Sequence, residues 1–199
     1  MVYLEYALAF LIGSVPTAYW YAKYVHHLDI RQHGSGNIGA TNSLRVLGKK
    51  AGIIVLFIDM LKGLIPVLVA RELGFTPEGI LLAGIMAVLG HLFSPFVGFK
   101  GGKGIATGFG VILAFSPLAA LASILVFGIV LYFSRYVSLG SVCGVLAFWV
   151  YTFFQPDSSP EILFLASVLA ALLIISHRKN LGRLWNGTES RIGSSGKTS

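Results

Sequence analysis

The sequence predicts an all-α integral membrane protein of about seven transmembrane helices, with its N-terminus outside and its C-terminus in the cytoplasm. Three observations carry that prediction. Hydrophobic residues make up 55% of the 199-residue chain and charged ones only 12%, about half the charged share of a soluble domain. Apolar runs recur that are long enough to cross a hydrocarbon core, for which roughly 20 residues suffice, fewer where the ends are anchored. Lysines and arginines collect in some of the loops between runs and the acids in the others, the pattern of the positive-inside rule. The length fits one domain, read as residues 1–192 followed by a flexible Gly/Ser-rich tail at 193–199.

In order, the clear spans are about 3–24, 51–72, 79–97, 117–134, 137–154 and 161–177. The first has no basic start and is followed by a basic segment, so it reads as a retained span and not a cleaved signal. A shorter piece, 104–115, is ambiguous by length, and charge decides it. Basic residues cluster at Lys23 to Lys50, at Lys100 and Lys103, at Arg135, and from Arg178 onward, whereas Glu5, Glu72, Glu78, Asp157 and Glu161 occupy the intervening loops. For Lys103 and Arg135 to share a side, 104–115 must cross, with its turn at Ser116-Pro117. Arg71 alone sits among the acids. The net charge of +7 thus follows from cytoplasmic loops, and nucleic acid is not needed to explain it. Cys143 is the only cysteine, so no disulfide forms within the chain. No internal repeat supports an inverted-repeat transporter.

Three polar, glycine-punctuated islands fall in the predicted cytoplasmic loops. The first is HGSGNIGATNSLR, 33–45. Its glycines permit backbone angles that let successive amides face an anion. Ser35, Gly36, Asn37, Thr41 and Asn42 offer neutral donors and Arg45 a forked cationic one, and Thr41 or Asn42 suits a helix cap. The second is GFKGGKGIAT, 98–107, preceded by GHLFSPFV, 90–97. It is not a nucleotide P-loop: only three residues separate Gly98 from Gly102, and Gly104 stands where a magnesium-binding hydroxyl belongs. Close backbone approach to an anion remains, through Gly101, Gly102 and Gly104, flanked by Lys100 and Lys103. The third is HRKNLGRLWNGTE, 177–189. His177 and Asn180 share a helical face, and a neutral histidine there can orient or deprotonate a hydroxyl.

Each island alone has an ordinary explanation as a capped loop, a tight basic turn or the flank of a last span. His91 by itself reads as a hydrogen-bonded structural histidine. Asp59 and Lys62, three apart within the second span, read as a structural ion pair, since a lone charge there costs at least about 2.5–3.5 kcal/mol. Ser138 and Ser141 add hydroxyls at the cytoplasmic start of the sixth span. No cluster of metal-ligand spacing, no serine-hydrolase elbow and no His followed five positions on by Asp is present in the sequence. The chemistry expected is transfer from an already activated donor, without metal, cofactor or covalent enzyme intermediate.

Taken together and in order, GSGNIGATN (34–42), Gly90-His91 with GFKGGKGIAT, and HRKNLGRL (177–184) with Gly187-Thr188-Glu189 resemble the three signature motifs of the PlsY family, the bacterial acyl-phosphate:glycerol-3-phosphate acyltransferases. The resemblance implies a multi-pass protein of the bacterial inner membrane whose active site faces the cytoplasm. It implies that a long-chain acyl phosphate acylates the 1-hydroxyl of glycerol 3-phosphate, giving lysophosphatidate and inorganic phosphate in the first step of phospholipid synthesis. Carried over by position, Ser35, Arg45 and the glycine loop with Lys103 hold substrate phosphate, with Lys100 a weaker candidate. His177 and Asn180 are the catalytic or substrate-positioning pair, and Glu189 braces the fold. The active species is expected to be a monomer. Whether a substrate phosphate oxygen or His177 takes the hydroxyl proton stays open. A transporter of a phosphorylated metabolite is the alternative, and it predicts polar residues continuing to the outer face, where the spans are nearly bare of them. A structural scaffold would leave three polar motifs on one side unexplained.

Overall fold

The computed structural model describes residues 2–192, so the predicted flexible tail at 193–199 lies outside the described residues. Ten α-helices and no strand occur among them: α1 Val2–Ser14, α2 Thr17–Val25, α3 Ala40–Leu47, α4 Lys49–Glu72, α5 Pro77–Leu92, α6 Ile105–Phe115, α7 Pro117–Ser134, α8 Val137–Phe153, α9 Pro160–Ser176 and α10 Arg178–Trp185. By length and apolar composition α4, α5 continued by the turn to Val97, and α7 can each cross a membrane, and the bent pairs α1–α2 and α9–α10 raise the number to five. The shorter apolar helices α6 and α8 complete the set of runs read from sequence.

The predicted first span, 3–24, is not one helix. It breaks at Val15-Pro16 and bends by 44°. Pro16 has no N–H to continue the helical ladder, and at the break the Val15 carbonyl accepts from the Thr17 N–H at 3.0 Å and from the Lys62 ammonium at 2.6 Å. Such a break inside a membrane is tolerated when neighbours satisfy the backbone. The second bend, 55°, falls at His177 between α9 and α10.

Apolar burial drives little association between helices in lipid, so close packing by small residues carries the core. A Cβ on Gly63 would lie 1.9 Å from the Thr107 carbonyl oxygen, and one on Gly110 2.0 Å from that of Met60. Only glycine lets α4 and α6 approach so closely. Around this contact pack Val67, Leu81, Val88, Val111, Phe148 and Leu169, all fully buried.

The two ends of the bundle are finished differently. At one end Arg71 donates to the carbonyls of Ala114 and Phe115 at 2.6 and 3.3 Å, satisfying the last turn of α6. That accounts for the one basic residue among acids. Ser159 donates to Glu78 at 3.2 Å on the same acid-bearing set of turns, and Ser116 caps α7 at the predicted turn. At the other end lie the three polar islands.

Candidate active site

The second island forms the floor. After α5 the chain makes a 3-10 turn at Pro95–Val97, reverses through Gly98 and Phe99 at positive φ, and reaches Gly104, which stands at φ 78 before the first turn of α6. Gly101 N–H donates to the Leu92 carbonyl at 3.0 Å and Gly102 N–H to that of His91 at 3.1 Å. Those two amides therefore tie the loop to the end of α5. The amides opening α6, which have no intrahelical acceptor, and the half-buried Lys103 follow directly. A helix N-terminus beside a lysine is suited to an anion. Burial above all pushes the Lys103 ammonium down to about 8, against the pull of the Glu189 carboxylate and with Arg183 and Arg45 adding to the depression. Lys103 of the second island thus feels charges from both of the others.

The third island is the most cross-linked. Glu189 accepts from Ser138 at 2.8 Å and from Asn180 Nδ2 at 2.6 Å on one carboxylate oxygen, and from Arg183 Nε at 2.6 Å on the other. Burial alone would raise its pKa, but the hydrogen bonds from Asn180, Ser138 and Arg183 together outweigh burial and hold it below the usual carboxylate range. With Nδ2 committed to Glu189, Asn180 presents a buried Oδ1 that has no protein donor among the described residues. His177 is buried at the α9–α10 bend. Its Nδ1 lies 2.9 Å from the Leu173 carbonyl, which only accepts, so Nδ1 carries the proton and the neutral ring offers Nε2 as an acceptor. Ser176 Oγ lies 2.8 Å from the Lys103 carbonyl and 2.6 Å from that of Leu173, so its one proton is shared between the second island and the end of α9.

The first island is braced from within. The buried Asn42 side chain accepts from the Ser35 N–H at 2.9 Å and donates to the carbonyls of His33 and Ile30 at 3.0 and 3.3 Å. Its amide is spent on shaping the loop. Gly39, not Thr41 or Asn42, stands at the N-cap of α3, and no side chain caps it. Asn42 is drawn back to the loop that precedes it. Gly36 takes φ 70 and Asn37 is half-buried, while Ser35, Thr41 and Arg45 are exposed.

Of the other predicted residues, Lys100 is exposed. Ser138 joins the Glu189 cluster. Ser141 is buried with its hydroxyl on the Val137 carbonyl at 2.8 Å, and it lines an apolar slot of about 230 Å³ with Met60, Phe109, Phe127, Val145 and Leu173. Leu173 belongs to both regions, since its side chain lines the slot and its carbonyl holds His177. Asp59 and Lys62 form the predicted buried pair at 2.7 Å. Among the described residues, no group of three or more His, Cys, Asp or Glu side chains gathers as a metal cluster. Sequence reasoning passed over Ser176, an ordinary last-turn serine whose role appears only in the contact with Lys103.

Comparison with known proteins follows the same outline. The family model described as glycerol-3-phosphate acyltransferase matches residues 3–187. A glycerol-3-phosphate acyltransferase of Trichlorobacter lovleyi is 46% identical over 184 residues, covering 92% of this chain and 94% of its own. A glycerol-3-phosphate acyltransferase 2 of Moorella thermoacetica is 46% identical over 192 residues, covering 96% and 97%. Two crystal structures of the integral membrane acyltransferase PlsY superpose closely. The glycerol 3-phosphate form has a TM-score of 0.92 at 41% identity, covering 96% of each chain, and the lysophosphatidic acid form 0.87 at 42%, covering 96% and 95%.

Proposed function

Because the chain belongs to the glycerol-3-phosphate acyltransferase family, and is an integral membrane acyltransferase acting on glycerol 3-phosphate, we propose that its acyl donor is a long-chain acyl phosphate and that the three islands are its active site. The 1-hydroxyl of glycerol 3-phosphate attacks the acyl carbonyl carbon, the bond from that carbon to the phosphate oxygen breaks, and lysophosphatidate and inorganic phosphate result. The carrying observation is Asn180. Leaving a buried acceptor unpaired costs about 1–3 kcal/mol, and with Nδ2 held by Glu189 the buried Oδ1 of Asn180 has no protein donor among the described residues. An incoming hydroxyl supplies the missing proton donor.

An acyl phosphate is a mixed anhydride, so its carbonyl needs little activation beyond neutralising the phosphate that departs. Lys103, Arg45 and the opening amides of α6 hold two phosphates between them, that of glycerol 3-phosphate and that of the donor, and the groups beside the donor phosphate bind more tightly as charge develops on it. Ser35, in the loop braced by Asn42, adds a neutral donor. The apolar slot beside Leu173 takes the acyl chain, so the carbonyl at its head comes near His177 and the hydroxyl is delivered within reach. The hydroxyl proton goes either to a phosphate oxygen or to His177 Nε2. Exchange of His177 for glutamine separates the two routes: retained turnover excludes an obligatory imidazole base. In this reading the chain crosses the bacterial inner membrane about seven times, with the N-terminus outside and the islands in the cytoplasm. It works as a single domain and as a monomer.

The test is incubation of purified protein with palmitoyl phosphate and labelled glycerol 3-phosphate. Labelled lysophosphatidate should appear with inorganic phosphate, and no CoA, nucleotide or divalent metal should be needed. Transfer only from palmitoyl-CoA, or uptake of glycerol 3-phosphate into liposomes without chemical change, would refute the assignment.

A further inference from the structure

His91 sits in a buried polar network that the acyl-transfer scheme does not use. The Lys62 ammonium donates to the Val15 carbonyl at 2.6 Å, pairs with Asp59 at 2.7 Å and approaches His91 Nδ1 at 3.5 Å. The Thr107 hydroxyl, in the first turn of α6, also meets Nδ1, at 3.2 Å. The network therefore joins four elements: α4 and α6 meet the imidazole carried by α5, and Lys62 ties them to the α1–α2 break. An ammonium has donors and no acceptor, so the nitrogen facing it must offer a lone pair. The proton of the neutral ring is then on Nε2. That atom faces the phosphate loop, for a Cβ on Gly102 would lie only 2.2 Å from it. The backbone of the same residue is tied to the loop as well, because the His91 carbonyl accepts from Gly102 N–H. His91 thus joins a membrane-buried ion pair to the residue just before Lys103.

We propose that His91 is a positioning residue for the phosphate loop, held by Lys62 as the Nε2–H tautomer and so fixing where Lys103 and the opening turn of α6 meet a phosphate. The inference rests on the acyl-transfer reading for its substrate, but not on the identity of the acyl donor. It acts through the loop, so its signature is in phosphate recognition more than in turnover.

The experiment measures glycerol 3-phosphate and inorganic phosphate binding by calorimetry, together with KM and kcat, for the full chain in nanodiscs. His91→Ala should weaken binding and raise KM for glycerol 3-phosphate by about fivefold or more while kcat stays within about threefold. His91→Gln, whose amide nitrogen reaches the position of Nε2, should return both to within about twofold. In the unmodified protein, the ¹⁵N imidazole resonance that disappears in His91→Gln should report a proton on Nε2, a readout that needs no variant to fold. Binding and KM unchanged in His91→Ala, kcat falling alone as it would from a smaller folded fraction, or a proton found on Nδ1 would each overturn the proposal. Should the unmodified protein bind glycerol 3-phosphate with the expected variant pattern yet transfer no acyl group, the acyl-transfer reading fails and the positioning role stands.

Discussion

The first and third islands are built in opposite ways. In the third, the side chains are cross-linked to one another: Glu189 gathers Ser138, Asn180 and Arg183, and Ser176 reaches the Lys103 carbonyl. In the first, one buried side chain, Asn42, shapes the backbone, while Ser35 and Arg45 stay exposed and Arg45 makes no ion pair among the described residues. The third island is thus preorganised before substrate arrives, which favours orientation of reacting atoms. The first leaves exposed a forked cation of the kind that suits a phosphate.

This contrast predicts different mutational signatures. The largest effect belongs to Glu189. Its replacement by alanine leaves Asn180 Nδ2, Ser138 and Arg183 without their acceptor, so stability should fall by about 2–3 kcal/mol and kcat by about 100-fold or more. Thermal unfolding and steady-state kinetics check both, and a stable, active variant would break the comparison. Arg45→Ala comes next and should separate the two readouts. Unfolding should shift by no more than about 0.5 kcal/mol, while KM for a phosphate-bearing substrate rises about tenfold or more.

A pH effect of intermediate size follows from Lys103. Its folded-state pKa, about 8, lies below the ordinary lysine value, so the free enzyme loses this charge as pH rises through about 8. KM for glycerol 3-phosphate should therefore climb between about pH 8 and 9.5, and Lys103→Arg, which stays charged, should flatten that climb. Stability moves the other way. The unfolded chain holds the extra proton between about 8 and 10.4, so the cost of burying the charged ammonium is present below 8 and is relieved across that window. The smallest effect is expected at Lys100, an exposed residue whose change to alanine should alter KM by no more than about twofold.

Much of this arrangement was legible in the sequence, and the exceptions share a cause. Apolar runs, charge alternation and the turn at Ser116-Pro117 locate the helices because hydropathy and backbone chemistry act locally. The ion pair of Asp59 with Lys62 was readable because an i, i+3 pair lies on one helix face. What was hidden depends on contacts between distant segments. The break at Pro16 is stable because Lys62, 47 residues away, caps the Val15 carbonyl. Asn42 looks like a ligand donor until the carbonyls of Ile30 and His33 are found within its reach. Gly101 and Gly102 look like open anion-binding amides until the end of α5 takes both. Arg71 breaks the charge rule for a reason visible only once α6 ends beside it.

The central claim is that the islands hold two phosphates at once. It is tested most directly by titrating glycerol 3-phosphate into protein already saturated with a non-transferable long-chain acyl phosphonate. One equivalent of glycerol 3-phosphate should still bind, without displacing the phosphonate. Mutual displacement would mean a single shared phosphate site and would contradict the account.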